Sequence, residues 1–130
     1  MKKLILILLF STVIFSSPSY AEWTGVSEGT GTNSGNFFYV DFERMRKHDG
    51  YVYWWNLTDF LKPTEYGDFS AKSYHQGDCK LFRFKKLSFS FHKEPMGGGT
   101  GEMINKPDKE WTYPSPNSVN EIILKAVCNR

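Results

Sequence analysis

The chain's two cysteines, Cys79 and Cys128, limit its fold more than any other pair of residues. Their chemistry is decided by the first 21 residues. Met1-Lys2-Lys3 is a short positive start, Leu4 to Phe15 is a nearly unbroken apolar run, and Ser19-Tyr20-Ala21 has the small-x-small form of a leader cleavage site. At about 1.5 Å rise per residue the run reaches only ~18 Å, well short of a hydrocarbon core of ~30 Å. Residues 1–21 therefore read as a cleaved secretory leader and not as an anchor, with Glu22 the first residue after processing. No cysteine stands at that junction to carry a lipid, and no later stretch is long and apolar enough to span a membrane. The expected localisation is periplasmic, secreted or at the cell surface.

In an oxidising compartment an isolated cysteine pair is most simply a structural disulfide. A redox or metal role lacks support. There is no C-x-x-C, and His48, His75 and His92 show no ligand spacing with one another or with the cysteines. No cofactor and no metal ligands are expected.

Removing the leader removes Lys2 and Lys3, which carry the net charge of +2, so residues 22–130 hold 14 basic and 14 acidic residues. A neutral domain has no bulk drive toward nucleic acid or anionic lipid. Residues 22–130 still hold 19 of the 22 aromatics, more than a small core obviously needs.

Residues 22–35 are rich in Gly, Ser, Thr and Asn and read as a flexible lead-in, with a short strand at Trp23–Val26. A single domain follows over 36–130. Phe37 to Phe42 and Tyr51 to Phe60 read as strands, separated by one helical turn over Glu43–His48 and by an Asp49-Gly50 turn. Along the second strand Tyr51, Tyr53, Trp55 and Leu57 share one face, and Val52, Trp54, Asn56 and Thr58 share the other. Leu61 to Gly67 is a loop. Lys72 to His92 is the longest β-like stretch. Phe82 and Phe84 occupy even positions whereas Leu87, Phe89 and Phe91 occupy odd ones, which calls for a bulge or bend near Lys85-Lys86. Gly97 to Gly101 is a flexible connection before a short strand around Glu102–Ile104.

Ser115 to Val127 reads as a helix. Ser118 and Glu121 form a capping box, and Val119, Ile122, Ile123, Ala126 and Val127 form the apolar stripe. On this stripe Cys128 falls on the far side, so the chain should leave helical geometry near Val127 for Cys128 to reach Cys79. The fold class expected is α+β: an antiparallel sheet with a C-terminal helix packed on it and one disulfide.

No catalytic constellation emerges. Gly97-Gly98-Gly99-Thr100-Gly101 lacks the Gly-Lys-[Ser/Thr] ending of a phosphate loop. Asp41, Glu43 and Asp59 are carboxylates at strand ends with no fixed separation, and no Gly-x-Ser-x-Gly elbow is present. The chain is therefore expected not to be an enzyme. Trp54 and Trp55 are adjacent and point to opposite faces, so one fills the core and the other needs cover. The candidate partner-binding residues are Tyr51, Trp54, Arg83, Lys85 and Lys86, for a protein partner and not nucleic acid, with a homodimer through an exposed aromatic edge as an additional expectation.

The order of features carries a resemblance. Phe38-Tyr39-Val40-Asp41 is followed by Gly50, by Tyr53-Trp54-Trp55-Asn56-Leu57-Thr58-Asp59-Phe60, and by Gly77-Asp78-Cys79-Lys80. A Gly-rich segment, Lys109-Glu110-Trp111, Pro114-Ser115-Pro116-Asn117-Ser118 and a helix ending in Val127-Cys128 complete it. Over residues 36–129 the chain resembles the bacterial surface-adhesin protein E family. The resemblance implies an antiparallel sheet with a helix, a Cys79–Cys128 disulfide, Trp55 and Asp41 as framework positions, and binding of host matrix or serum proteins. The absence of a cysteine for lipid attachment departs from the lipid-anchored pattern of that family. The alternative function is a periplasmic inhibitor or envelope-stress accessory that binds an enzyme or envelope component.

Overall fold

A computed structural model describes residues 21–29 and 34–130. Apart from Ala21, the expected leader lies outside the described residues. Among the described residues six strands form one antiparallel sheet: β1 (Thr24–Glu28), β2 (Phe37–Val40), β3 (Arg46–His48), β4 (Tyr51–Asp59), β5 (Ser70–Asp78) and β6 (Arg83–His92). Across the sheet the order is β1-β2-β4-β5-β6, and β3 lies beside the first residues of β4. One helix, α1 (Val119–Cys128), packs on one face. No described helix is long and apolar enough to cross a membrane.

Alternation along β4 sets the two faces. Val52, Trp54 and Asn56 are buried on the face that α1 covers, while Tyr51, Tyr53 and Trp55 are half-buried on the other. Asp49 (φ 50°) and Gly50 (φ 82°) make the two-residue turn from β3 to β4, the mirror-image turn that matches strand twist. The strand expected through Phe42 stops at Val40, because Asp41 caps a 3₁₀ turn over Phe42–Arg44. The expected turn over Glu43–His48 thus divides into that 3₁₀ turn and β3. The expected strand at Trp23–Val26 is β1, displaced by one residue and longer.

The single stretch expected over Lys72–His92 is two strands. They are joined at Cys79–Phe82, where Asp78 accepts the Leu81 N–H at 3.2 Å and Phe82 adopts φ 52°. The phase change is real as well. Tyr74 pairs with Ser88 and His75 with Lys86, so Leu87 is the extra residue of a bulge. Segment 104–112 then runs along the outer edge of β6, bridging Phe89 at Ile104 and Phe84 at Thr112, so the strand expected at Glu102–Ile104 is only one bridge.

The helix starts at Val119, four residues later than expected, because Asn117 takes φ 62°. Ser118 Oγ accepts the Glu121 N–H at 3.1 Å, and Glu121 reaches back to the Asn117 N–H at 3.2 Å. The buried stripe is Ile123, Leu124 and Val127, whereas Ile122 is exposed. That rotation places Cys128 beside the stripe, so it meets Cys79 (Cα–Cα 5.6 Å) while still helical. The expected exit from helical geometry near Val127 is therefore corrected. Val40, Val52, Trp54, Phe84, Ile123, Leu124 and Val127 form the core, each large side chain contributing roughly 1.5–3 kcal/mol by burial.

Candidate functional site

The sheet face opposite α1 carries an aromatic strip bordered by cations. Trp111 anchors one end. The Thr112–Phe84 bridge holds its backbone against β6, and its ring stacks on Tyr51 (centroids 5.6 Å, 26° between planes). The Arg83 guanidinium lies 4.4 Å and the Lys85 ammonium 4.9 Å from the Trp111 ring centre, close enough for the ring's negative face to attract both. Arg83 Nε donates to Asp78 at 2.9 Å and Nη1 to the exposed Tyr113 hydroxyl at 3.5 Å. Burial pushes the Asp78 carboxyl up, but the Leu81 N–H and the Arg83 guanidinium outweigh it and hold Asp78 below the usual range. The Asp78 hydrogen bond chiefly holds the Arg83 proton more tightly than usual. The cation is thus fixed in orientation over the ring.

The strip continues through Tyr53, stacked on Tyr74 at 6.1 Å, to Trp55, 4.8 Å from Tyr74; the Arg46 guanidinium lies 5.5 Å from the Tyr53 ring centre. It ends at a pocket of about 120 Å³ whose lining includes Ala21, Trp23, Asp41, Arg44, Trp55 and Lys72. Asp41 is fully buried; one oxygen accepts the Arg44 N–H at 3.3 Å, and the other faces Arg44 Nε at 3.5 Å with no hydrogen-bond donor among the described residues.

Of the expected contact residues, Tyr51, Arg83 and Lys85 meet at Trp111. Lys86 does not join them. It pairs in register with His75 on the face that α1 covers, and its ammonium lies 4.6 Å from the Phe89 ring centre. Trp54 is corrected to a core residue. It is 1% exposed, stacks on His75 at 5.2 Å and donates its indole N–H to Asn56 at 2.6 Å, so its surface is taken up by the protein itself. Trp55 is the tryptophan of the adjacent pair that reaches the open face. Sequence reasoning did not select Trp111 or Tyr113 for contact, since each lies in irregular chain where no periodicity marks orientation, nor Trp23, which opens the expected short strand of the lead-in.

Two Ser–His contacts are the nearest approach to catalytic chemistry. Ser73 lies 2.8 Å from His75 and Ser90 2.8 Å from His92. Burial, aided by Lys86, lowers the His75 pKa to about 3; burial and then Lys72 lower that of His92. Nδ1 of each has no hydrogen-bond partner among the described residues, so neither ring has the orienting carboxylate of a triad, and Ser90 is 1% exposed. Among the described residues no group of three or more metal-ligating side chains gathers.

The family model described as surface-adhesin protein E matches residues 23–129. Crystal form II of Haemophilus influenzae protein E is similar at 14% identity and a TM-score of 0.60, covering 90% of this chain and 97% of that one. The selenomethionine form of the same protein is similar at 14% identity and a TM-score of 0.61, covering 86% and 89%. At such identity the likeness to these structures is one of fold. No curated protein matches the chain in sequence.

Proposed function

Because the chain belongs to the surface-adhesin protein E family, we propose that it is an exported, non-catalytic protein-binding module that contacts host matrix or serum proteins. Residues 1–21 are then its leader, residues 22–35 a lead-in whose β1 pairs with the sheet, and residues 36–130 the rest of the binding domain. The aromatic strip from Trp111 to Trp55 on the open sheet face carries the reading. It sets large, rigid rings beside Arg46, Arg83 and Lys85, the residue types that dominate interface hot spots. A partner surface with carboxylates around an apolar centre suits this face. Trp54 contributes by holding β4 flat against α1, and Lys86 lies away from the contact.

Immobilised laminin and vitronectin, with a bacterial envelope extract as a third surface, test the reading. Processed protein binds a host protein, Trp111→Ala weakens binding by about 30-fold, corresponding to a hot spot of ~2 kcal/mol, and the Arg83→Glu/Lys85→Glu pair weakens it most at low salt. Circular dichroism confirms that each variant is folded. No binding to either host protein, or binding unchanged in Trp111→Ala, defeats the proposal, and binding to the envelope extract alone transfers the assignment to an envelope accessory. A homodimer belongs to the same proposal and is checked by mass from light scattering at high concentration.

A further inference from the structure

The pocket at the end of the strip contains a charge without a hydrogen-bond donor. Asp41 is 0% exposed, and among the described residues its Oδ2 has the Arg44 ion pair at 3.5 Å and no hydrogen-bond donor. A buried carboxylate oxygen left in that state is costly, and a donor that reached it would stabilise the fold. Lys72 lines the same pocket and has no acidic partner among the described residues. The Asp41 oxygen therefore asks for a ligand that brings a donor.

The chain holds such a ligand next to the pocket. Ala21 and Trp23 both line it, with Glu22 exposed between them, so the chain carries the Glu22 backbone nitrogen past the pocket. Hydrolysis of the Ala21–Glu22 amide by the cell's leader peptidase consumes one water. It leaves a carboxylate on Ala21, which departs with the leader, and an α-ammonium on Glu22.

We propose that the processed N-terminus docks in this pocket through its α-ammonium, which the Glu22 nitrogen presents to Asp41 Oδ2 while the Glu22 side chain stays exposed to solvent. In the unprocessed chain the same nitrogen is a neutral amide and offers no charge to Asp41. The charged groups around the ammonium are then Asp41, Arg44 and Lys72 in the pocket and the Glu22 carboxylate in solvent, two carboxylates against two side-chain cations. Processing in this way fastens the segment leading into β1 beside Trp55, at the end of the open face. The inference rests on cleavage after Ala21 and is independent of which partner the face binds.

The full chain, exported and processed by a bacterial host, provides the test. Intact mass gives Glu22 as the first residue; any other N-terminus overturns the proposal. A second chain carries Gly-Ser inserted between Ala21 and Glu22, so that processing leaves the ammonium two residues too far out. The α-amine pKa, read from the pH dependence of acetylation, is about one unit or more above the ordinary ~7.7–8.0 in the native chain and ordinary in the inserted one. The native chain also melts about 4 °C or more higher. Because the docked amine has the raised pKa, this advantage is complete below pH ~8 and closes as pH rises through the docked pKa. Asp41→Asn brings the native α-amine back to its ordinary value. An ordinary α-amine pKa in the native chain, or equal melting of the two chains, overturns the proposal without relying on Asp41→Asn to fold.

Discussion

Gly77→Ala is the sharpest test of how α1 meets the sheet. Gly77 pairs with Val52 on one side and Phe84 on the other. A Cβ there would lie 2.7 Å from Trp54 Cζ3, 2.9 Å from Val52 Cγ1 and 3.2 Å from Leu124 Cδ1. The tryptophan contact is roughly 0.8 Å inside the carbon–carbon optimum of ~3.5 Å. The indole cannot simply retreat, because its N–H is held by Asn56 at 2.6 Å and its ring by His75. Overpacking of this kind costs about 1–3 kcal/mol, and three simultaneous contacts put the cost at the upper end. At about 4–8 °C per kcal/mol for a small domain, melting falls by roughly 12 °C or more. Chain flexibility alone has the opposite sign, since replacing a strand glycine by alanine stabilises by ~0.5–1 kcal/mol. Thermal unfolding followed by circular dichroism reads the difference. Val52→Ala in the same chain removes one of the three contacts, so the double variant recovers part of the loss, with a coupling of about 1 kcal/mol. Unchanged or raised melting in Gly77→Ala, or strict additivity with Val52→Ala, refutes the packing described.

Two further outcomes follow from the disulfide and from a histidine. Cys128→Ser opens a loop with a sequence separation of 49 and lowers stability to chemical denaturation by up to about 4 kcal/mol on the chain-entropy account; native protein treated with iodoacetamide takes up no label. His75 must be neutral in the fold, with its pKa lowered to about 3, whereas in the unfolded chain it protonates near 6.5. The unfolded chain therefore binds the extra proton, and stability falls as pH drops below ~6.5, by about 2–3 kcal/mol between pH 7 and 4.5. Urea titrations at the two pH values measure this slope, and His75→Leu flattens it; an unaltered slope in that variant shows that other groups set it.

Strong local patterns were readable from the sequence, and choices made by distant contacts were not. The alternation Tyr51-Val52-Tyr53-Trp54-Trp55-Asn56 fixed both faces of β4, and the odd–even switch of the phenylalanines located a bulge within one or two residues of Leu87. The turn at Cys79–Phe82 escaped because its fourth residue, Phe82, takes a left-handed conformation that phenylalanine seldom adopts. The helix face was misjudged because Ile122, Ile123 and Leu124 are adjacent and equally apolar, so only docking chooses among them; the sheet takes Leu124 and leaves Ile122 in water. At the candidate site, Tyr51, Arg83 and Lys85 were recoverable as aromatic and basic strand residues. Their common centre, Trp111, was not, since its position comes from backbone hydrogen bonds between segment 104–112 and β6.

The pairing of β1 with β2, β3 with β4, and β4 with β5 and then β6 means that nearly every partnership joins neighbours in sequence. All six strands precede Cys128 along the chain. A polypeptide passing through a membrane amino end first presents the whole sheet before the second sulfur arrives. For a chain that emerges in that order the bond between Cys79 and Cys128 is a closing step: it forms after all six strands are available and ties the last turn of α1 to the β5–β6 connection. An oxidation catalyst that acts late suffices for such a chain, since Cys79 and Cys128 are the two cysteines of the sequence and no third thiol competes.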